Sequence, residues 1–193
     1  MKKLLTTVVM GATFLLASCG IKTTSVTTTT QENSVKQVQL TDGSETVEVK
    51  SNPKKIVTFD LGAADTLRAI GQEEAIAGMP TKPLPTYIKD LGEKVQNVGS
   101  MKEPDIEAIA AMQPDLIIAS TRTKDFIPQL KEIAPTVIFN VDSKDYWGSV
   151  QKNVKSLASL FNEETQQKAA AQVKELQSVI DTIAAQNEKH SEK

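Results

Sequence analysis

From residue 54 onward, two kinds of apolar spacing alternate along the chain. KKIVTFD (54–60), IAG (76–78), DLIIAS (115–120) and TVIFNV (136–141) are short apolar runs, as expected of strands buried on both faces. Between them, apolar residues recur every three or four positions, the helical period. AADTLRAIG turns Leu67 and Ile70 to one side and Arg68 to the other, towards solvent, and ends on Gly71. YIKDLGEK predicts a short helix and VQNVGS (95–100) an extended segment. PDIEAIAAM (104–112) predicts a helix with Pro104 at its first position and Asp105 and Glu107 in its first turn. TKDFIPQLKEIA predicts a helix around Pro128, and SKDYWGSVQKNVKSLASLF another after the fourth strand. Upstream, VKQVQL (35–40) and TVEVK (46–50) alternate apolar with polar around TDGS, predicting a hairpin or edge strands. Strands alternating with helices predict an α/β fold with a mainly parallel sheet.

The last segment, residues 162–190, carries Val173, Leu176, Ile180 and Ile183 at spacings of three and four, one apolar stripe on a long helix. At about 40 Å it is longer than the preceding lobe needs. Such a stripe packs against something: a second copy, or a further lobe.

The N-terminus has a different pattern. Lys2 and Lys3 precede an apolar stretch, Leu4 to Leu16, too short to span a bilayer as a permanent helix. Leu16-Ala17-Ser18-Cys19 then matches the lipobox of bacterial lipoproteins, in which Cys19 becomes the lipidated first residue; the alternative is an ordinary secretory leader with an incidental cysteine. Two acyl chains on the thiol would anchor the protein outside the cytoplasmic membrane. IKTTSVTTTTQENS (21–34) has little to bury and is expected to be a disordered tether. The expected division is a leader over 1–18, a tether over 19–45, an α/β lobe over 46–161 and a long helix over 162–193.

Composition removes several function classes. Net charge is −2, which gives no footing for nucleic acid. The one cysteine excludes an intrachain disulfide and multi-cysteine zinc sites. The one histidine, His190, lies in a polar tail and is expected to be solvated. No G-x-S-x-G, phosphate-binding glycine loop or HExxH occurs, so no enzyme is expected. Asp60, at a strand end, is expected to cap a helix rather than act in catalysis.

What remains is Arg122. Of the 22 Lys and Arg residues only two, Arg68 and Arg122, are arginines. Arg122 follows the strand 115–120, and in open α/β sheets ligands bind beyond the carboxyl ends of the strands. Its planar fork of donors suits a large anion better than a lysine does, and backbone N–H groups at the start of the next helix add to that. The alternative is a surface arginine capping a loop. Lys82, in the proline-rich loop MPTKPLP, could add positive field, and Ser100-Met101-Lys102 is expected to border the same cleft, with Met101 an adaptable apolar contact.

The stretches NPKKIVTFDLGAADTLRAIG, IAGMP, NVGSMKEPDIEAIAAMQPDLIIAS, LKEIAPT and the helix after Trp147 resemble the N-terminal part of iron-siderophore substrate-binding lipoproteins of ABC importers. The pattern G-x-x-x-x-P-D-x-E-x-I-x-x-x-x-P-D-L-I-I is similar to that superfamily, and VGSMKEPD and DLIIAS-x-R to its petrobactin or catecholate branch. The resemblance implies two α/β lobes joined by one long helix, with this chain covering the first lobe and that helix and lacking the C-terminal lobe. It implies that Arg122 contacts a ferric-siderophore anion. Lys124 is a further candidate, although relatives carry their lysine where Asp125 stands here. Glu107 matches a glutamate that pairs with arginines of the ABC permease; alternatively it is simply a first-turn acid. No cofactor is intrinsic, since iron enters only within the ligand. Two other readings are a remnant or interaction module without ligand, and a haem or B12 binder of the same superfamily.

Overall fold

The computed structural model describes residues 36–41 and 45–191. The leader, Cys19 and the Thr-rich stretch lie outside the described residues. A hairpin opens the fold: β1 (Gln37–Thr41) pairs antiparallel with β2 (Thr46–Lys50), Val38 opposite Val49 and Leu40 opposite Val47. Its period-two pattern buries Leu40 and Val49 and leaves Gln39 and Glu48 in solvent. Strand β1 falls inside the 19–45 stretch expected to be tether, so ordered structure starts before residue 46. The alternation in VKQVQL carried that signal.

Five strands make one parallel sheet in the order β5-β4-β3-β6-β7: β3 (Ile56–Thr58), β4 (Ile76–Met79), β5 (Gln96–Asn97), β6 (Leu116–Ala119) and β7 (Thr136–Ile138). Alternation along the central strands feeds two cores. Ile56, Leu116 and Ile118 pack with α1 (Leu61–Ala69), α5 (Tyr146–Ser159) and the hairpin. Val57, Phe59, Ile117 and Ala119 pack with α3 (Ile106–Met112) and α4 (Ile127–Ile133). Each large aliphatic side chain so buried contributes about 1.5–3 kcal/mol, and helices on both faces are what a parallel sheet requires.

Local chemistry moved several boundaries. Helix α3 starts at Ile106, not at Pro104, because the Asp105 carboxylate accepts a hydrogen bond from Ala108 N at 2.9 Å and caps the helix. Residues 121–133 are not one helix. A 3-10 segment (Thr121–Phe126) leads into α4, where Pro128 sits in the first turn and its missing N–H costs nothing. Arg68 is not simply solvated: its guanidinium spans Asp65 (2.7 Å) and Asp90 (3.2 Å), tying α1 to the short helix α2 (Lys89–Gly92).

Helix α6 (Glu163–Ser191) has 29 residues and is about 43 Å long. Its first half docks on the lobe through buried Thr165 and Ala169. Gln72 Nε2 donates to Thr165 Oγ1 (3.0 Å), Gln172 Nε2 to the Ala69 carbonyl (2.6 Å) and Trp147 Nε1 to Gln177 Oε1. Further on, Leu176, Val179, Ile180 and Ile183 form one face that is 41–52% exposed. Among the described residues no helix is long and apolar enough to cross a membrane.

Candidate functional site

The carboxyl ends of β3 and β6 deliver two tightly capped turns to one edge of the sheet. After β3, Thr58 Oγ1 accepts from Asp60 N (3.1 Å) and donates to the Asp60 carbonyl (3.0 Å), holding the chain in a narrow exit. Asp60 Oδ1 then accepts from Gly62 N (2.8 Å) and Ala63 N (3.1 Å), the N-cap expected of it. After β6, Ser120 Oγ accepts from Arg122 N (3.2 Å) and Thr123 Oγ1 accepts from Ser120 N (2.9 Å), a reciprocal capping box. These bonds bear on one expectation. Gly62 N, Ala63 N and Arg122 N are thus engaged by side chains, which leaves fewer backbone donors for an anion than the bare helix starts suggest.

A third turn supplies the opposite rim. Gly99 has φ +91°, and a Cβ there would lie 2.4 Å from the Glu103 carbonyl oxygen and 2.7 Å from Asp105 N. Only glycine allows so close an approach. The turn is closed by Ser100 N donating to the Glu103 carbonyl and Asp105 N to the Val98 carbonyl, each at 2.9 Å. Ser100 Oγ accepts from Glu103 N (3.0 Å) and Lys102 N (3.3 Å) inside it. The loop thereby lifts Met101 and Lys102 towards the end of β6, where Arg122 Nη1 lies 3.6 Å from Met101 Sδ.

Arg122 is exposed, and among the described residues it forms no salt bridge. Among the described residues its one side-chain partner is thus a weak thioether acceptor. It borders two adjoining depressions. One, of about 320 Å³, is lined by Phe59, Asp60, Gly62, Met101, Ser120 and Phe139 as well as Arg122. The other, of about 370 Å³, adds Lys82, Lys102 and the prolines Pro80, Pro83 and Pro85. Three cations and one carboxylate, itself committed to a cap, therefore face this edge.

Of the residues singled out in the sequence, Arg122, Met101 and Lys82 come together here, with Ser100 and Lys102. Lys124 is exposed in the same 3-10 segment but lines neither depression. Glu107 is exposed on the first turn of α3, apart from both. The sequence did not mark Leu61, which opens α1, or Phe139, which follows β7, because a single wall residue leaves no periodic signal. Among the described residues no three or more His, Cys, Asp or Glu side chains gather to hold a metal ion.

Residues 56–193 match the periplasmic binding protein family. Over 156 residues the chain is 35% identical to the petrobactin-binding protein YclQ of Bacillus subtilis, covering 78% of this chain and 48% of that protein. It is 30% identical over 181 residues to a putative ABC transporter substrate-binding lipoprotein of the same organism, YhfQ, covering 91% of this chain and 56% of that one. The crystal structure of the iron uptake ABC transporter substrate-binding protein PiuA from Streptococcus pneumoniae superposes with a TM-score of 0.76 at 54% identity, over 79% of this chain and 54% of PiuA. The chain thus spans about half the length of these relatives. With its parallel sheet and flanking helices, the chain belongs to the periplasmic binding protein family.

Proposed function

We propose that this chain is the first lobe and linking helix of a lipid-anchored receptor that captures a ferric siderophore of the catecholate type and delivers it to an ABC importer. It works by binding and not by catalysis, with iron arriving inside the ligand. The observation that carries the reading is the Arg122 guanidinium, without a carboxylate partner, on the same strand-end edge as Lys82 and Lys102. A ferric catecholate is a bulky anion with acceptors spread over its surface, which an arginine fork and flanking ammonium groups complement. Relatives named for petrobactin binding and for iron uptake support the same class. Lys124 supplies long-range positive field, Glu107 docks on the permease from its exposed helix turn, and lipid on Cys19 holds the receptor at the extracytoplasmic face. The other wall of the cleft belongs to the part of the relatives that this chain does not match.

Titration with a ferric catecholate, followed by the fluorescence of Trp147, should show saturable quenching. Arg122→Ala should weaken it about tenfold or more, the value of one charge-assisted hydrogen bond. Quenching that never saturates, or that is indifferent to Arg122→Ala, overturns the assignment. The exposed stripe from Leu176 to Ile183 favours a second reading, an interaction module without ligand; concentration-dependent self-association with no quenching would select it.

A further inference from the structure

Beside the cationic depressions runs a groove that neither the family match nor the reading above assigns. It has a volume of about 360 Å³ and lies between α1 and α5. Asp60, Gly62 and Phe139 line both this groove and the Arg122 depression, so the two adjoin. Its far wall consists of Val141, Tyr146, Val150, Val154 and Leu157.

Its lining is mainly apolar, with Asp60 the one charged side chain among the residues that form it. Thr66 Oγ1 donates to the Gly62 carbonyl (2.8 Å), Asn153 Nδ2 donates to the Asn140 carbonyl (3.2 Å), and Asp60 is engaged in its cap. Few polar atoms are left to recognise a polar guest. The groove also holds exposed apolar surface that the fold does not need. Apart from α6, the large apolar side chains exposed among the described residues are Tyr87, Val141 and Tyr146, and two of these three rim this groove. Tyr146 is 66% exposed and Val141 46%. Apolar groups held in water beside a charged site are a common mark of ligand recognition.

We infer that this groove is a specificity subsite for an uncharged aliphatic or aryl arm of the ligand, whose anionic chelate end lies at Arg122. The inference rests on the receptor reading. Arg122 and the lysines select charge, which many ferric chelates share. Tyr146, Val141 and Phe139 select among them by the arm, and an all-carboxylate chelate such as ferric citrate gains nothing there. Aromatic Tyr146 is suited to this: it offers a large face with few torsions to restrict.

The test uses the full chain with Cys19→Ser, which leaves it unlipidated, and gallium(III) in place of iron to permit amide NMR. Two probes are compared: a gallium bis-catecholamide with an aliphatic linker, and gallium citrate. The armed complex should shift amides at 100–102, 120–123 and 139–150, and gallium citrate only the first two groups. Tyr146→Ala with Val141→Ala should weaken the armed complex about tenfold, the loss expected when roughly 55 Å² of apolar contact is removed, and leave citrate unchanged. Shifts confined to 100–102 and 120–123 for both probes overturn the subsite and keep the receptor. No shifts with either probe overturn both. Affinity for the armed complex unchanged in the double variant likewise overturns the subsite, leaving the groove as a seat for further protein chain.

Discussion

Replacing Gly99 by alanine tests the site's architecture through a single methyl group. At φ +91° an L-residue is strained by roughly 1–2 kcal/mol. The new Cβ would also stand 2.4 Å from the Glu103 carbonyl oxygen and 2.7 Å from Asp105 N. Both obstacles are backbone, and both belong to hydrogen bonds that close the turn. They can move only if one of those bonds opens, at a further cost of about 0.5–1.5 kcal/mol. The expected loss is therefore about 1.5–3.5 kcal/mol. Gly71→Ala is the control. Its φ is +79°, but its Cβ would meet only the tip of Lys168 at 3.0 Å, which can swing away. That substitution should cost roughly 1–2 kcal/mol, the strain alone. Urea unfolding with unchanged m-values measures both. Because the opened turn carries Met101 and Lys102, Gly99→Ala should also displace the amide resonances of residues 101–105 and weaken anion binding, whereas Gly71→Ala should do neither. If Gly99→Ala proves no more destabilising than Gly71→Ala, the turn is not the rigid mount that this reasoning makes it.

Two further substitutions probe neighbouring contacts. Asp60→Ala removes the acceptor for two amides and should cost about 0.5–2 kcal/mol in denaturant, while Asp60→Asn keeps the cap. The asparagine should also bind an anionic chelate more tightly than the native protein, since it takes a negative charge from the depression; weaker binding by Asp60→Asn would count against an anionic ligand. Arg68→Ala loses two bridges in which the arginine side chain is 26% exposed, and screening should hold the cost below about 1 kcal/mol, read as a shift in the urea midpoint.

The alternating strands and helices were legible because burial on both faces of a parallel sheet imposes uninterrupted apolar runs, as at Leu116–Ala119, and these survive in the sequence. The strand ends were not. TVIFNV has four apolar residues among six, but only Thr136–Ile138 pair, because the chain leaves β6 after Ala119. Caps were legible where one residue does the work, as with Asp60, and illegible where two compete, as with Pro104 and Asp105. At the site, Arg122 stood out by residue type and by its place after a strand. The apolar groove did not. Phe139 and Val141 follow β7 and Tyr146 opens α5, with no period in common, and they line one groove only once α1 and α5 are packed. The cap after β6 was hidden for a related reason: Ser120 and Thr123 are ordinary residues in a sequence, and only their geometry shows that they engage each other and the Arg122 N–H.

The two arginines can now be compared. Lysine serves this chain where one carboxylate must be met at the surface, as in Lys94 with Glu73 at 3.5 Å or Lys131 with Glu45. Arg68 meets two carboxylates at once, from different helices, which takes two separate nitrogens at fixed spacing. A lysine there could satisfy one and would leave the other. Arg122 has the same fork, but it faces a sulfur atom and open space at the end of β6. A guanidinium is more weakly hydrated than an ammonium and keeps its charge at any physiological pH, so it can surrender water to an incoming anion at smaller cost. The difference between the two sites lies in what occupies the second half of the fork: at Arg68 the protein provides it, and at Arg122, under the receptor function proposed above, a ligand would.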